Sequence, residues 1–317
     1  MKPSVIVWDL ETVPDLCGFA AANDLVGKRD ADIREALGNQ FPKHIYHSIV
    51  CIGALVAHRE SDHWAVDALG APHVGERTEN QLIASFCDKI AELKPQLVTF
   101  NGNSFDLPVL RYRAMIHSVS APGLAARLYF NGYTEDAVDL CDILSSFAPH
   151  TKASLNELSK IMGLPGKPEG IDGSEVERYF HEGRIKEIAE YCEIDVVNTY
   201  QVWLRYELFR ARLSESEHRA SERSLADFVA ARVNTVPHFH RAEIAVPELR
   251  VGEVEDLHRD SAPAGKATSI ETWVADLLDK PEKKRAASLY ELLLRLNLDM
   301  SHLDEAREAY VRRLGLR

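Results

Sequence analysis

The sequence offers little that belongs to a secreted, membrane-spanning or nucleic-acid-coating protein. Its 317 residues hold only five cysteines, an odd number with no CxxC pair. That argues against a disulfide framework and against a zinc ribbon. The longest apolar run, Ile49 to Ala57, is too short to cross a bilayer, so no membrane is expected. Only a brief apolar stretch precedes Asp9 and Glu11, which does not fit a secretory signal; a reducing cytoplasm is the expected compartment. No internal repeat is present, which excludes solenoids and propellers. Basic residues are in deficit as well, 37 Lys and Arg against 49 Asp and Glu, for a formal charge of −12. The basic footprint of a nonspecific nucleic-acid binder is therefore missing. An enzyme whose acids hold divalent cations against a phosphate backbone is not excluded by this balance.

What is present is an ordinary globular composition, 45% hydrophobic and 27% charged. The length suggests one substantial domain with an appendage, or two small domains. Ser4 to Leu10 has the character of a buried strand ending on acids before Pro14, and a polar, helix-compatible stretch follows through Gly38. Strands are predicted over Ser48–Val56, His63–Asp67, Gln96–Phe100 and Ala137–Cys141. Thr78, with Gln81 three residues on, has the form of a capping box opening a helix to Leu93. Further helices are predicted over Leu107–His117, Ala153–Met162, Gly173–His181 and Arg184–Leu213. The order predicts an α/β fold, a mixed five-stranded sheet started by a meander and completed by crossover helices. Residues 214–269 are expected to be a helical extension and linker, the stretch from Glu243 to Ser269 being rich in Pro, Gly and charge. Residues 270–317 suggest three short helices in a small C-terminal module. Its Trp273, Leu277, Leu289, Leu293 and Leu296 need a surface to bury against, either the preceding core, a second copy or a protein partner.

Three acidic motifs stand out. Asp9-Leu10-Glu11 closes the first strand. Alternation puts Val5, Val7, Asp9 and Glu11 on one face and Ile6, Trp8 and Leu10 on the other. Two carboxylates about 6.5–7 Å apart along a strand can converge on one hard cation. Chance alone supplies about two such pairs in so acidic a chain, so the pair by itself is weak. Tyr191 and Asp195 stand at i and i+4, on the shoulder of a core stripe running Ile188, Cys192, Val196, Thr199 and Trp203. Asn101-Gly102-Asn103-Ser104-Phe105-Asp106 follows a strand and opens a helix, with Pro108 in its first turn; Asp106 is either an N-cap or a third acid at the same sheet edge.

In this order and spacing the three motifs resemble those of the 3′→5′ exonucleases of the RNase H-like, DnaQ-like superfamily, in the branch with two Asp, one Glu, one further Asp and a catalytic Tyr. The resemblance covers roughly residues 1–210. The segments VWDLETVPD, TFNGNSFDLPVL and YCEIDVVNTY are most similar to stand-alone relatives of the proofreading exonuclease domain of family B DNA polymerases. The loop GLPGKPEGIDGS, residues 163–174, also looks like a segment of these stand-alone members. One position departs from the polymerase pattern: Thr99 stands where Gly is usual. Position 190 is Glu, not the His of the RNA-trimming branch.

The resemblance implies a catalytic domain over residues 1–213 with an RNase H-like sheet. It implies Asp9, Glu11, Asp106 and Asp195 as ligands of two divalent cations, Mg2+ or Mn2+. Asp9 would bridge the two, Glu11 and Asp195 would hold the one that binds the attacking water, and Asp106 would support the other. Tyr191 would orient that water. Leu10, Thr12, Asn101, Phe105 and Lys167 are the implied substrate contacts, and a core Leu and a turn Asn are the plain alternatives for two of them. The expected activity is release of 5′-mononucleotides from the 3′ end of DNA, single-stranded DNA foremost, with a place in DNA repair. An RNA 3′-exonuclease and a nucleic-acid-binding module with a relic site are the alternatives. Asp139 and Asp142 lie near a predicted strand end, where Asp142 is expected to cap a helix. The pairs His44/His47 and His238/His240 lack Cys or carboxylate partners at ligand spacing and are expected to be structural.

Overall fold

The computed structural model describes residues 2–164, 166 and 173–232. Lys167, His238, His240, the segment 243–269 and the module 270–317 lie outside them, and so do the expectations placed there. In chain order the elements are β1 (Ser4–Pro14), α1 (Leu16–Ala22), α2 (Asp30–Leu37), β2 (His47–Arg59), β3 (Trp64–Gly70) and α3 (Glu79–Leu93). Then come β4 (Gln96–Thr99), α4 (Asp106–Ile116), α5 (Pro122–Ala125), β5 (Ala137–Asp139), α6 (Leu140–Leu144) and α7 (Leu155–Ile161). A 3-10 turn at Gly173–Glu175 leads into α8 (Val176–His181), and α9 (Ile185–Phe209) and α10 (Glu215–Ala230) complete the described chain. The sheet has five strands in the order β3-β2-β1-β4-β5. The meander β1-β2-β3 is antiparallel, and β4 and β5 are parallel to β1, joined through helices. The mixed five-stranded sheet is the expected one. No helix among the described residues is long and apolar enough to cross a membrane.

The alternation along β1 divides the core. Ile6, Trp8 and Leu10 pack with Leu82, Ile83 and Phe86 of α3 and Leu110 of α4. Val5 and Val7 pack with Val196, Tyr200 and Trp203 of α9 on the opposite side. Both sheet faces are therefore covered, and the central strand is buried on each. Thr78 and Gln81 do form a capping box on α3.

Several boundaries differ from expectation, each for a local reason. β1 runs to Pro14, because β2 continues to pair with it down to Pro14↔His47 across a register shift at Glu11/Thr12. Asp9 and Glu11 thus sit within the strand, beside a bulge where β2 carries an extra residue opposite Glu11 and Thr12. The polar stretch before Gly38 forms two short helices, the first capped by Asp15, whose carboxylate accepts the Gly18 N–H at 2.8 Å. β5 stops at Asp139 because that side chain caps α6. The helix expected to run to Leu213 ends at Phe209, and a further capping box, Ser214 with Glu217, starts α10.

α10 finishes the core. Leu225 and Val229 join the cluster of Val5 and Val7, so packing continues past residue 213. Edge strand β3 would otherwise offer open N–H groups for pairing with another chain. Trp64 and Val66 instead donate theirs to the hydroxyls of Ser221 and Ser224, at 3.0 and 3.1 Å.

One close approach in this framework lies between α9 and β2. A Cβ added to Gly53 would stand 2.7 Å from Cys192 Sγ, 3.1 Å from Val196 Cγ2 and 3.3 Å from the Cys192 carbonyl oxygen. Two of these three neighbours are buried side-chain atoms and the third is helix backbone, so a methyl here displaces the helix. Gly53→Ala should destabilise the fold by about 1–3 kcal/mol, the usual range for overpacking, read by denaturant unfolding. An unchanged unfolding midpoint would show that α9 gives way freely.

Candidate active site

The contact at Gly53 is also what assembles the acids. Asp9 pairs with Gly53 across the β1–β2 ladder, and Glu11 with Cys51. Because α9 sits directly on Gly53, Cys192 Sγ comes to 3.6 Å from the Asp9 carbonyl oxygen and 3.7 Å from Asp9 Oδ2. Asp9, Glu11 and Cys192 each bring a potential ligand atom within 4.8 Å of the others. Tyr191, one residue earlier on the helix, is 2% exposed. Burial is the first cause that raises its phenol pKa. The charges of Asp195, Glu11 and Asp9 come next, with a hydrogen bond to Asp195. The phenol therefore lies in the field of three of the four expected acids, and Asp195 is buried one helical turn beyond it. The structure brings Asp9, Glu11, Tyr191 and Asp195 together.

By spacing, Cys192 belongs to the core stripe only, and sequence reasoning misses its proximity to the acids. The available signal is its position inside the Tyr191–Asp195 turn. Its thiol pKa is raised well above the ordinary value, first by a hydrogen bond with Cys51, then by burial, then by the charges of Asp9 and Glu11. Thiols ligate metals as thiolates, and the other donors beside this sulfur are the carboxylate oxygens of Asp9 and Glu11. Clustered carboxylate oxygens suit hard cations such as Mg2+ or Mn2+.

Asp106 arrives from the other sheet face. It is the first residue of α4 and 4% exposed, and its Oδ1 accepts the Leu10 N–H at 3.2 Å. Since Leu10 lies between Asp9 and Glu11, this bond pins the start of α4 to the acidic stretch of β1. Burial raises the Asp106 carboxyl to about 7; the Leu10 N–H opposes the rise and the Asp139 charge adds to it. A cation beside it would return the ionised form, by the ordinary effect of an opposite charge.

Behind Asp106 stands Asp139, fully buried. It accepts the N–H groups of Asn101 (2.8 Å), Asn103 (2.9 Å), Cys141 (3.0 Å) and Asp142 (3.3 Å). Burial is the main cause raising its carboxyl, and the N–H donors oppose it. This one carboxylate holds the turn before α4 and caps α6. Asp142, expected to cap, instead pairs with Lys152 Nζ at 2.7 Å. The correction has a simple origin. The strand ends two residues earlier than expected, which puts Asp139 at the N-cap position with the extended backbone a cap requires. Thr99, the departure from the polymerase pattern, packs over Gly102, where a Cβ would lie 2.5 Å from its own Cβ.

The remaining expected residues are spread around this centre. The Leu10 side chain is 4% exposed in the core, and its backbone N–H is the group that serves the site. Thr12 Oγ1 is 2.9 Å from His47 Nδ1. Asn101 is an exposed turn residue at φ +71°, its Oδ1 accepting from Ser104 Oγ and Lys152 Nζ. Phe105 is half-buried beside Asp106. Of the histidines, His47 is buried between Thr12 and the Pro42 carbonyl, and burial lowers its pKa. Both its ring nitrogens are thereby engaged, in keeping with a structural role.

A family model described as predicted 3′-5′ exonucleases related to the exonuclease domain of PolB matches residues 39–243. The match takes in Asp106, Tyr191 and Asp195, and begins after Asp9 and Glu11. Among solved structures, the chain is similar to the family B DNA polymerase of the hyperthermophilic archaeon Pyrobaculum calidifontis, with a TM-score of 0.44 and 17% identity. The likeness covers 66% of this chain and 25% of the polymerase, so the chain spans about a quarter of that protein's length. No curated protein matches it. The family match covers well over half of the chain, which therefore belongs to the predicted 3′-5′ exonucleases related to the PolB exonuclease domain.

Proposed function

We propose that this enzyme is a metal-dependent 3′→5′ exonuclease that removes 5′-mononucleotides from single-stranded 3′ ends of DNA by a two-cation mechanism. The observation that carries the proposal is the meeting of Asp9, Glu11, Tyr191 and Asp195 along the central strand, with Asp106 bonded to the backbone between the first two. Asp9, Glu11 and Asp195 would hold one cation, and Asp106, beside them, would support the other. When bound, the pair supplies positive charge to the scissile phosphodiester and activates the attacking water. Clustered carboxylates favour such binding, because each charge added without a cation raises the cost of the next.

Tyr191 keeps its proton, since burial and three carboxylates push its pKa upward. It therefore serves as a hydrogen-bond donor and acceptor that orients the water, not as a base. Asp139 fixes the turn that presents Asp106. Clustered acids in an acidic chain are consistent with a phosphate backbone met through cations instead of a basic groove.

End-labelled single-stranded DNA, duplex DNA and RNA, incubated with Mg2+, Mn2+ or EDTA, test the activity and the sugar together. A ladder growing from the 3′ end is expected with either cation, fastest on single-stranded DNA, and none with EDTA. RNA cleaved faster than DNA would overturn the substrate assignment. Asp9→Ala and Asp195→Ala should each abolish cleavage while the protein stays folded by circular dichroism; wild-type rates in folded Asp9→Ala protein would remove Asp9 from the site. Tyr191→Phe should slow cleavage by about 10²–10⁴-fold, as for a positioned catalytic group. Cation binding measured by calorimetry should survive that change, and its loss would give Tyr191 a different role.

A further inference from the structure

Phe41 lies in the loop before β2 and is 74% exposed. A lone exposed ring needs no explanation. This one ends a connected group that reaches the acids. Its ring centroid is 5.4 Å from Phe105 and 5.0 Å from His47; Phe105 is 5.0 Å from His47 and 5.8 Å from His44. Phe105 directly precedes Asp106. His47 Nδ1 lies 2.9 Å from Thr12 Oγ1, and Nε2 lies 3.2 Å from the Pro42 carbonyl oxygen. The loop residue next to Phe41 is therefore tethered to β1, one position beyond Glu11. The rings are bracketed by two of the three acidic motifs and held by a buried histidine.

The chemistry of this surface selects its ligand. It is aromatic and tethered, so little conformational freedom is lost when something stacks on it. Exposed Lys43 and half-buried His44 are the basic neighbours within the loop, in a chain whose formal charge is −12. Bulk charge attraction for a polyanion is therefore weak. Stacking on a ring face does not depend on charge, and every nucleobase has such a face. A base can use it only when unpaired, which favours a single strand. We propose that Phe41, with Phe105 and His44, forms a stacking platform for unpaired bases at the 3′ end of single-stranded nucleic acid. The platform rests on the exonuclease proposal above and adds a binding element outside the acids.

The test is binding of a 5′-fluorescein single-stranded oligonucleotide, with phosphorothioate linkages at its 3′ end and Mg2+ present, followed by anisotropy. A matching oligonucleotide lacks its three 3′-terminal bases. Phe41→Ala should bind the intact strand about tenfold more weakly, in the range of a lost base–aromatic stack, with an unchanged melting temperature. Phe41→Trp should restore or exceed wild-type affinity. On the base-free strand the wild type should fall at least to the level of Phe41→Ala on the intact strand, and wild type and Phe41→Ala should then bind equally. Equal affinity of wild type and Phe41→Ala for the intact strand would overturn the platform, as would an equal loss on both strands. A wild type that binds neither oligonucleotide would instead overturn the exonuclease proposal, an outcome separate from binding that ignores Phe41.

Discussion

The approach of α9 to Gly53 sets the rest of the site. A sheet and a helix normally keep the distance that their side chains impose. Here the absent side chain lets the helix drop until Cys192 and Val196 meet the strand. Asp9 is the ladder partner of that glycine, so the same contact decides how far Tyr191 and Asp195 stand from the β1 acids. An extra methyl would change the core and the site together. Stability and site geometry are coupled at one residue, and the ladder leaves no slack between them.

A second constraint is the handling of buried acids, and the molecule handles them in different ways. Asp15 and Glu79 close on Arg113, whose guanidinium reaches them at 2.6 and 2.5 Å. That network joins α4 to α3 and to the cap of α1, and it places full charges where the backbone needs fixing. Asp139 has four backbone N–H donors in place of a cationic side chain. Asp106 has the Leu10 N–H and a carboxyl raised to about 7. The series runs from charge neutralised by protein to charge held ready for something else. Asp106 stands at the latter end, where burial is tolerable because a proton or a cation can occupy the group. The proposed two-cation mechanism uses that readiness, and Asp139 supplies the rigidity beneath it.

Much of the fold was legible because it depends on short-range rules. Strict alternation in β1 separated the two core faces, and Thr78 with Gln81 announced the start of α3. The three acidic motifs were visible for the same reason: strand parity and helix periodicity give each side chain a direction before any tertiary contact is known. What escaped depended on partners distant in sequence. β1 continues to Pro14 because β2 pairs with it over that length, and a bulge at Glu11/Thr12 has no local signature. Asp139 looked like the end of a strand, yet its meaning comes from the turn at Asn101–Asn103, some forty residues earlier on the chain. Cys192 looked like core and is core; only the fold shows that this core position adjoins Asp9. α10 resembled an extension, and the serine hydroxyls that close edge strand β3 became apparent only when β3 lay beside them.

These features bear on how an acidic protein can take a polyanion as substrate. Binding through a basic groove would derive its strength from counterion release and would fade quickly with salt. The chain has no charge surplus for that route. Under the proposed mechanism the phosphate at the reacting bond meets cations held by carboxylates, which confines electrostatic attraction to one point. Such a point contact fixes the scissile bond but not the strand on either side of it. The strand needs a second hold that neither adds positive charge nor competes with the acids for the cations. The proposed platform of rings beside Asp106 would meet both conditions, and it would accept bases only from unpaired strands. On both proposals, acidity at the centre and aromaticity at its border would be two parts of one arrangement, in which a preference for single strands would come from the kind of contact available and not from any reading of sequence.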